Sequence, residues 1–155
     1  MENYAEQLET LTQQEKELQF TAFNSDTALT LGLKIVELAK QKGKAITVNI
    51  TVNGKVLFHH AMQGTSADQA DWIRRKNNVV ARFGRCSFYV AIDHKHRGVV
   101  FEDIKYLDPR DHAANGGAFP VTIKDSGMIG TVTVSGLRQA EDHALVIEGL
   151  RAVLD

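Results

Sequence analysis

The 155-residue chain has a single cysteine, Cys86, so an internal disulfide is excluded and no bridge framework organises the fold. No apolar run approaches the roughly 18 residues that a membrane-spanning helix needs. Excess charge is missing too: 18 Lys and Arg against 19 Asp and Glu leave a net charge of -1. Without a net positive field the chain gains little from counterion release on a phosphate backbone, so nucleic acid is not expected as a partner. The first residues, Met1-Glu2-Asn3-Tyr4-Ala5-Glu6, are polar and acidic, the wrong chemistry for a secretory or mitochondrial presequence. A cytoplasmic protein that stays off membranes is the expectation. There is no P-loop, nucleophile elbow or Rossmann fingerprint, which takes weight from nucleotide and hydrolase chemistries.

What is present is an ordinary globular composition, 43% hydrophobic and 24% charged. The length suits one domain, residues 1–155, which at this size buries about 70% of its extended surface. Leu8, Leu11 and Leu18 recur at helical spacing in a polar stretch, so residues 1–17 read as an appended helix with a thin apolar stripe. Such a stripe needs a partner surface, either on the domain or on a second copy. After a short alternating stretch, residues 18–23, Asn24 or Ser25 caps a dense apolar helix that stops at Lys42-Gly43. Residues 46–62 alternate around Asn53-Gly54, the pair that a type I′ hairpin turn favours.

A helix is expected over residues 67–83, ended by Gly84. Beyond it, Ser87 can cap another helix through Lys95, although Phe88-Tyr89-Val90-Ala91-Ile92 reads equally as a buried strand. Asp108-Pro109 suits the start of a short helical turn. Residues 121–135 form a second hairpin around Asp125-Ser126-Gly127, and residues 138–154 a final helix. Helices and hairpins mixed in this order suggest an α/β (α+β) fold, an antiparallel sheet covered by helices.

Three spaced motifs sharpen this: Gly116-Gly117-Ala118-Phe119-Pro120, then Gly127-Met128-Ile129-Gly130, then Val134-Ser135-Gly136-Leu137. Together they resemble the pattern of the HbpS/GlcG-like, haem-degrading-domain superfamily. Trp72-Ile73-Arg74-Arg75-Lys76 and Gln139-Ala140-Glu141-Asp142-His143 are similar to one subgroup of short proteins of the UPF type. The resemblance runs from about Asn24 to the C-terminus. It implies a profilin-like or PAS-like sheet of about five strands with helices packed on it, in a symmetric homo-oligomer. It brings no settled activity. Phe119 departs from the short aliphatic residue usual before the proline, which would reshape any pocket beside the glycine pair.

Two surfaces are candidate sites. Gly116, Gly117 and Phe119 of the glycine loop, with Ser135 and Gly136 before the last helix, offer bare backbone and helix N-terminal amides to a small acid or propionate. The plainer reading gives those glycines to tight turns and Ser135 to a helix cap, with Glu141 and Asp142 already answering the helix dipole. The second surface is the helix bearing Arg75, Asn78, Arg82 and Arg85 on one face and Trp72, Lys76, Val79 and Phe83 on the neighbouring stripe. Trp72, Arg75, Lys76 and Arg82 suit a subunit interface or a planar anionic ligand, and equally an ordinary solvated face.

Among six histidines, His59-His60 and His94-Lys95-His96 are not spaced to chelate, and no metal site is expected. His112, just before the glycine loop, and His143, in the last helix, are candidate ligand-binding residues, either of them able to act as axial ligand or proton carrier. Cys86 has Arg82 and Arg85 nearby but no histidine placed to activate it. No catalytic set emerges. The leading expectation is a homo-oligomeric binding or adaptor protein, more a binder than an enzyme, taking a small molecule near the glycine loop or a protein partner. Its rival is haem binding or degradation.

Overall fold

The computed structural model describes residues 3–154. Its elements are α1 (Tyr4–Glu17), α2 (Ser25–Gln41), β1 (Thr47–Val52), β2 (Lys55–Ala61), α3 (Ala67–Phe83), α4 (Ser87–His96), a 3-10 turn (Phe101–Asp103), β3 (Ala118–Ile123), β4 (Gly127–Ser135) and α5 (Gln139–Leu154). The strands form one antiparallel sheet in the order β2-β1-β4-β3. This is an α+β fold, an open four-stranded sheet with five helices packed on it.

Strand period two divides the sheet into unlike faces. Val48, Ile50, Phe119, Val121, Val132 and Val134 share the apolar face and are buried with Leu31 and Ile35 of α2 and Leu145, Val146 and Leu150 of α5. Thr47, Asn49, Thr131, Thr133 and Ser135 line the other face, buried but polar. α3 covers that polar face and bonds to it: the Thr47 hydroxyl donates to Gln69 Oε1, and the Thr133 hydroxyl to Asn77 Oδ1. A sheet with one hydroxyl-rich face under a single helix can hold a polar pocket. A second, smaller core joins α3, α4 and the loop, through Val79, Val90, Phe101 and Leu107.

Most expected elements form where their local chemistry demands. The Asn24 side chain accepts the Thr27 N–H and the Thr27 hydroxyl accepts the Asn24 N–H, a reciprocal cap on α2. Asn53 and Gly54 take φ of 50° and 79°, the two positive values that the hairpin turn needs. The appended helix spans Tyr4–Glu17, and residues 1 and 2 of that expectation lie outside the described residues.

Two expectations are corrected, the strand count and the cap of α4, and two others are made definite. Among the described residues the sheet has four strands, not about five: residues 18–23 contribute only Phe20, bridged in parallel to Ile123, before the cap at Asn24 diverts the chain. The ambiguous run 88–92 is helical, and its apolar residues show little periodicity because α1, α3, α5 and β3 all touch α4. Cys86, not Ser87, is the N-cap of α4, and the Ser87 hydroxyl instead accepts the Ala118 N–H at 3.0 Å. The short turn expected at Asp108-Pro109 forms, its Asp108 carbonyl accepting the Asp111 N–H at 3.0 Å and its carboxylate the Arg110 N–H, and a separate 3-10 turn falls earlier, at Phe101–Asp103.

Candidate functional site

α3 carries Ile73, Lys76, Val79 and Val80 inward. Lys76, expected on an exposed stripe with Trp72, is instead 2% exposed. Its ammonium donates to Gly116 O at 3.0 Å, Val134 O at 2.8 Å and Asp142 Oδ2 at 3.2 Å. Three protons meet three acceptors, which is what a buried ammonium requires. Asp142 Oδ1 accepts the Leu137 N–H at 2.9 Å, so the carboxylate both balances the lysine and ties down the turn that leads into α5.

Burial works against both charges. It lowers the Lys76 pKa and raises that of Asp142 to about 6, and each partner's charge offsets part of that cost. Gly117 makes the arrangement possible. Its φ of +134° is closed to most side chains, and a Cβ there would stand 2.5 Å from the Lys76 ammonium.

Above this pair opens a pocket of about 330 Å³. Trp72, Gln69, Asn115, Gly116, Ser135 and Gln139 supply much of its wall, with Gly136, Lys76 and Asp142 also reaching it. Gln139 Oε1 accepts the Gly116 N–H at 3.0 Å, fixing the glycine loop to α5. In the turn before α5, expected to suit an anion, the Leu137 N–H is already taken by the protein's own Asp142 carboxylate. Charge at this wall is therefore balanced at the floor and negative at the rim, where Asp68 lies.

The arginine face of α3 is spent on structure. Arg75 donates to Pro109 O, Arg74 to Arg110 O and Asn78 to Asp111 O, so three side chains of one helix hold three successive carbonyls. This clamp fixes the loop that delivers Asn115 and Gly116 to the pocket. Arg75 also stacks on Trp72, its guanidinium 4.6 Å from the ring centroid, and Arg82 lies over Tyr106 at 5.2 Å. Arg85 does not share their face, since α3 ends at Phe83; it pairs with Glu15 at 2.6 Å and stacks on Tyr89.

The remaining candidates scatter. His112 is half-buried on the 108–112 turn, its ring bonded to Asp108 O at 3.0 Å, and does not reach the pocket. Phe119 is 1% exposed on the apolar sheet face, with its ring 6.0 Å from that of His143, so its bulk does not enter the pocket beside the glycines. His143 neighbours Asp142 in α5 but points elsewhere, against Gln14 of α1. Sequence reading missed Gln69 and Gln139 as pocket residues, and gave Asp142 only a dipole role. One signal for the pair was legible: a lysine occupying a core position of an apolar stripe, between Ile73 and Val79.

Comparison with known proteins agrees with this architecture. The family described as "Haem degrading protein HbpS-like" matches residues 23–151. The UPF0303 protein of Edwardsiella ictaluri is 46% identical over 143 residues, 92% of this chain and 91% of the relative. That of Streptomyces coelicolor is 44% identical over 140 residues, 90% and 89%. The chain belongs to the UPF0303 family and carries an HbpS-like domain.

Solved structures show the same fold. The Ybr137w protein superposes with a TM-score of 0.85 at 30% identity, covering 94% of this chain and 86% of that one. HbpS gives 0.67 at 20% identity, with 88% and 93% covered. The PduOC:heme complex gives 0.72 at 17% identity, with 86% and 96% covered. The HbpS-like match begins after α1, whereas the UPF0303 protein of Azotobacter vinelandii aligns at 42% identity over 153 residues, 99% of this chain and 92% of the relative, so α1 is shared with UPF0303 relatives.

Proposed function

We propose that this protein is a homo-oligomeric binding protein of one domain, residues 1–155, that holds a small polar molecule in the pocket between Trp72, Gly116 and Gln139. The observation that carries this reading is the satisfied floor of that pocket. Every proton of Lys76 has an acceptor and both oxygens of Asp142 have donors, leaving neither a free nucleophile nor a proton to transfer. The rim, in contrast, offers Trp72 and the amides of Gln69 and Asn115 for recognition. Self-association is supported by two exposed apolar features: Leu29 and Leu33, one turn apart on α2 and 49% and 55% exposed, and Val56 on the open edge strand β2, also 55% exposed. The exposed Arg82–Tyr106 stack is the surface on α3 best placed for a protein partner. A cytoplasmic setting fits the lone, buried Cys86.

Native mass spectrometry of the protein as purified from cells tests both parts. The expected result is a multimer that carries a retained small mass, with the mass lost in Trp72→Ala and the multimer reduced in Leu33→Glu. Steady turnover of a defined substrate by the purified protein would sink the binding-only reading.

The PduOC:heme complex makes haem the second reading. The residues present do not fit it. His143 is 4% exposed, its Nε2 is engaged by Gln14 at 2.7 Å, and Glu6 rather than a basic residue lies on the wall beside it. Arg75, a propionate candidate, is held by Pro109 O, and His112 lines neither the Trp72 pocket nor the wall beside His143. Stoichiometric haem is expected to give no saturable Soret shift; a saturable shift lost on changing His112 or His143 to Ala would replace the first reading with this one.

A further inference from the structure

A separate pocket of about 380 Å³ lies between α1 and the rest of the protein, lined by Gln7, Leu11 and Gln14 of α1, by Phe88 of α4 and by His143 of α5. Within it the His143 Nε2–H donates to Gln14 Oε1 at 2.7 Å, and Nδ1 is buried with no partner among the described residues. Burial holds this ring neutral by lowering its pKa to about 4, so in this tautomer Nδ1 is a bare acceptor. An acceptor removed from water without a donor costs free energy that a matching donor would recover. Phe88 and Phe119 flank the imidazole with ring centroids at 5.2 and 6.0 Å. Glu6 lines the pocket, and no lysine or arginine among the described residues does, so an anionic ligand would meet a carboxylate and no counter-charge.

We propose that this pocket binds a small neutral aromatic molecule carrying one O–H or N–H donor, which bonds to His143 Nδ1 while its ring packs against Phe88. The volume suits a one- or two-ring compound. Access to Nδ1 requires α1 to shift, and α1 is the element built to do so. Only Leu11 of its residues is buried. Polar contacts hold it from outside the pocket: Glu15 to Arg85 and to the Cys86 N–H, Thr12 to Arg85, and Glu17 to Arg151. The site is independent of the Trp72 pocket and stands whether or not that pocket is occupied.

The test is a titration of the full-length wild type, with ¹⁵N-labelled histidine, against phenol, indole, toluene and benzoate. Phenol and indole are expected to saturate and to move the His143 Nδ1 resonance. Toluene, which lacks only the donor, and benzoate are expected to bind about fivefold more weakly or worse, the worth of one net hydrogen bond. In His143→Phe, which keeps a ring of similar size, phenol should lose its advantage over toluene; Trp72→Ala should keep it. Toluene or benzoate binding as tightly as phenol, no saturation by phenol or indole, or a preference for phenol that survives in His143→Phe would each overturn the proposal. Should His143→Phe fail to fold, the wild-type ratio of phenol to toluene decides alone.

Discussion

Replacing Lys76 by methionine removes the ammonium while keeping most of the side chain's length. The thioether chain would fill the space under Gly117, but three acceptors, Gly116 O, Val134 O and Asp142 Oδ2, would lose their donor at once. The carboxylate matters most, since Asp142 is 3% exposed and keeps only backbone donors, at Leu137 and Gly136, with no charge to answer it. Breaking a buried ion pair from one side costs about 3–5 kcal/mol. For a chain of this size that corresponds to a loss of roughly 6–20 °C in Tm. Denaturant titration of both proteins measures the difference directly.

The deficit also has a defined pH dependence. The Asp142 pKa is already raised to about 6 in the folded protein, above an unfolded value near 4, so its proton favours the native state. Its contribution is fully present below the unfolded value and is lost as pH rises through about 6. Without Lys76 this pKa rises further, since an attractive charge has gone. The deficit of Lys76→Met should therefore be larger at pH 8 than at pH 5. Adding Asp142→Asn should recover a good part of the loss at pH 8, because no buried charge is then left alone. A deficit under about 1 kcal/mol, or one that grows on acidification, would refute the description of Lys76 as a buried ammonium paired with Asp142.

His143 predicts the opposite slope. Its pKa is lowered to about 4 from an ordinary value near 6.5, so its contribution is present above 6.5 and is lost as pH falls towards 4. Asp142 acts in the same window with the reverse sign, so the two partly cancel in the wild type, and only the difference between wild type and His143→Phe isolates the histidine. That difference in unfolding free energy should tilt by up to about 1.4 kcal/mol per pH unit between pH 6.5 and 4; a flat difference would show His143 to be accessible to protons. Glu15→Gln should loosen α1 while sparing the sheet, because the Glu15 carboxylate spans Arg85 Nε and the Cys86 N–H, each at 2.6 Å. Hydrogen exchange should rise selectively in α1 and the first turn of α4, by roughly the factor of five to ten that about 1 kcal/mol of cap and ion-pair energy implies. Uniform protection in both proteins would mean that α1 is held by its apolar contacts alone.

The elements legible in the sequence are those written in local chemistry. Asn24 with Thr27, Asn53-Gly54 and Gly84 each satisfy backbone groups within a few residues, and so specify where α2 begins, where β1 turns into β2 and where α3 stops. The Gly116 to Leu137 motifs carried the family for the same reason, being turn and packing residues of β3 and β4. What the sequence could not decide depends on groups far apart in the chain. α4 looks equally helix or strand, because the burial that silences its periodicity comes from α1, α3, α5 and β3 on several sides at once. The arginines of α3 look like a binding face until the 109–111 carbonyls arrive to occupy them. Lys76 and Asp142 are 66 positions apart, and His143 and Gln14 are 129 apart. Sequence alone determined α1, α2, α3 and α5, the hairpins and the family. The tertiary structure decided which charges are buried together, because the desolvation that makes an ion pair or an unpaired imidazole nitrogen consequential exists only once the fold has excluded water.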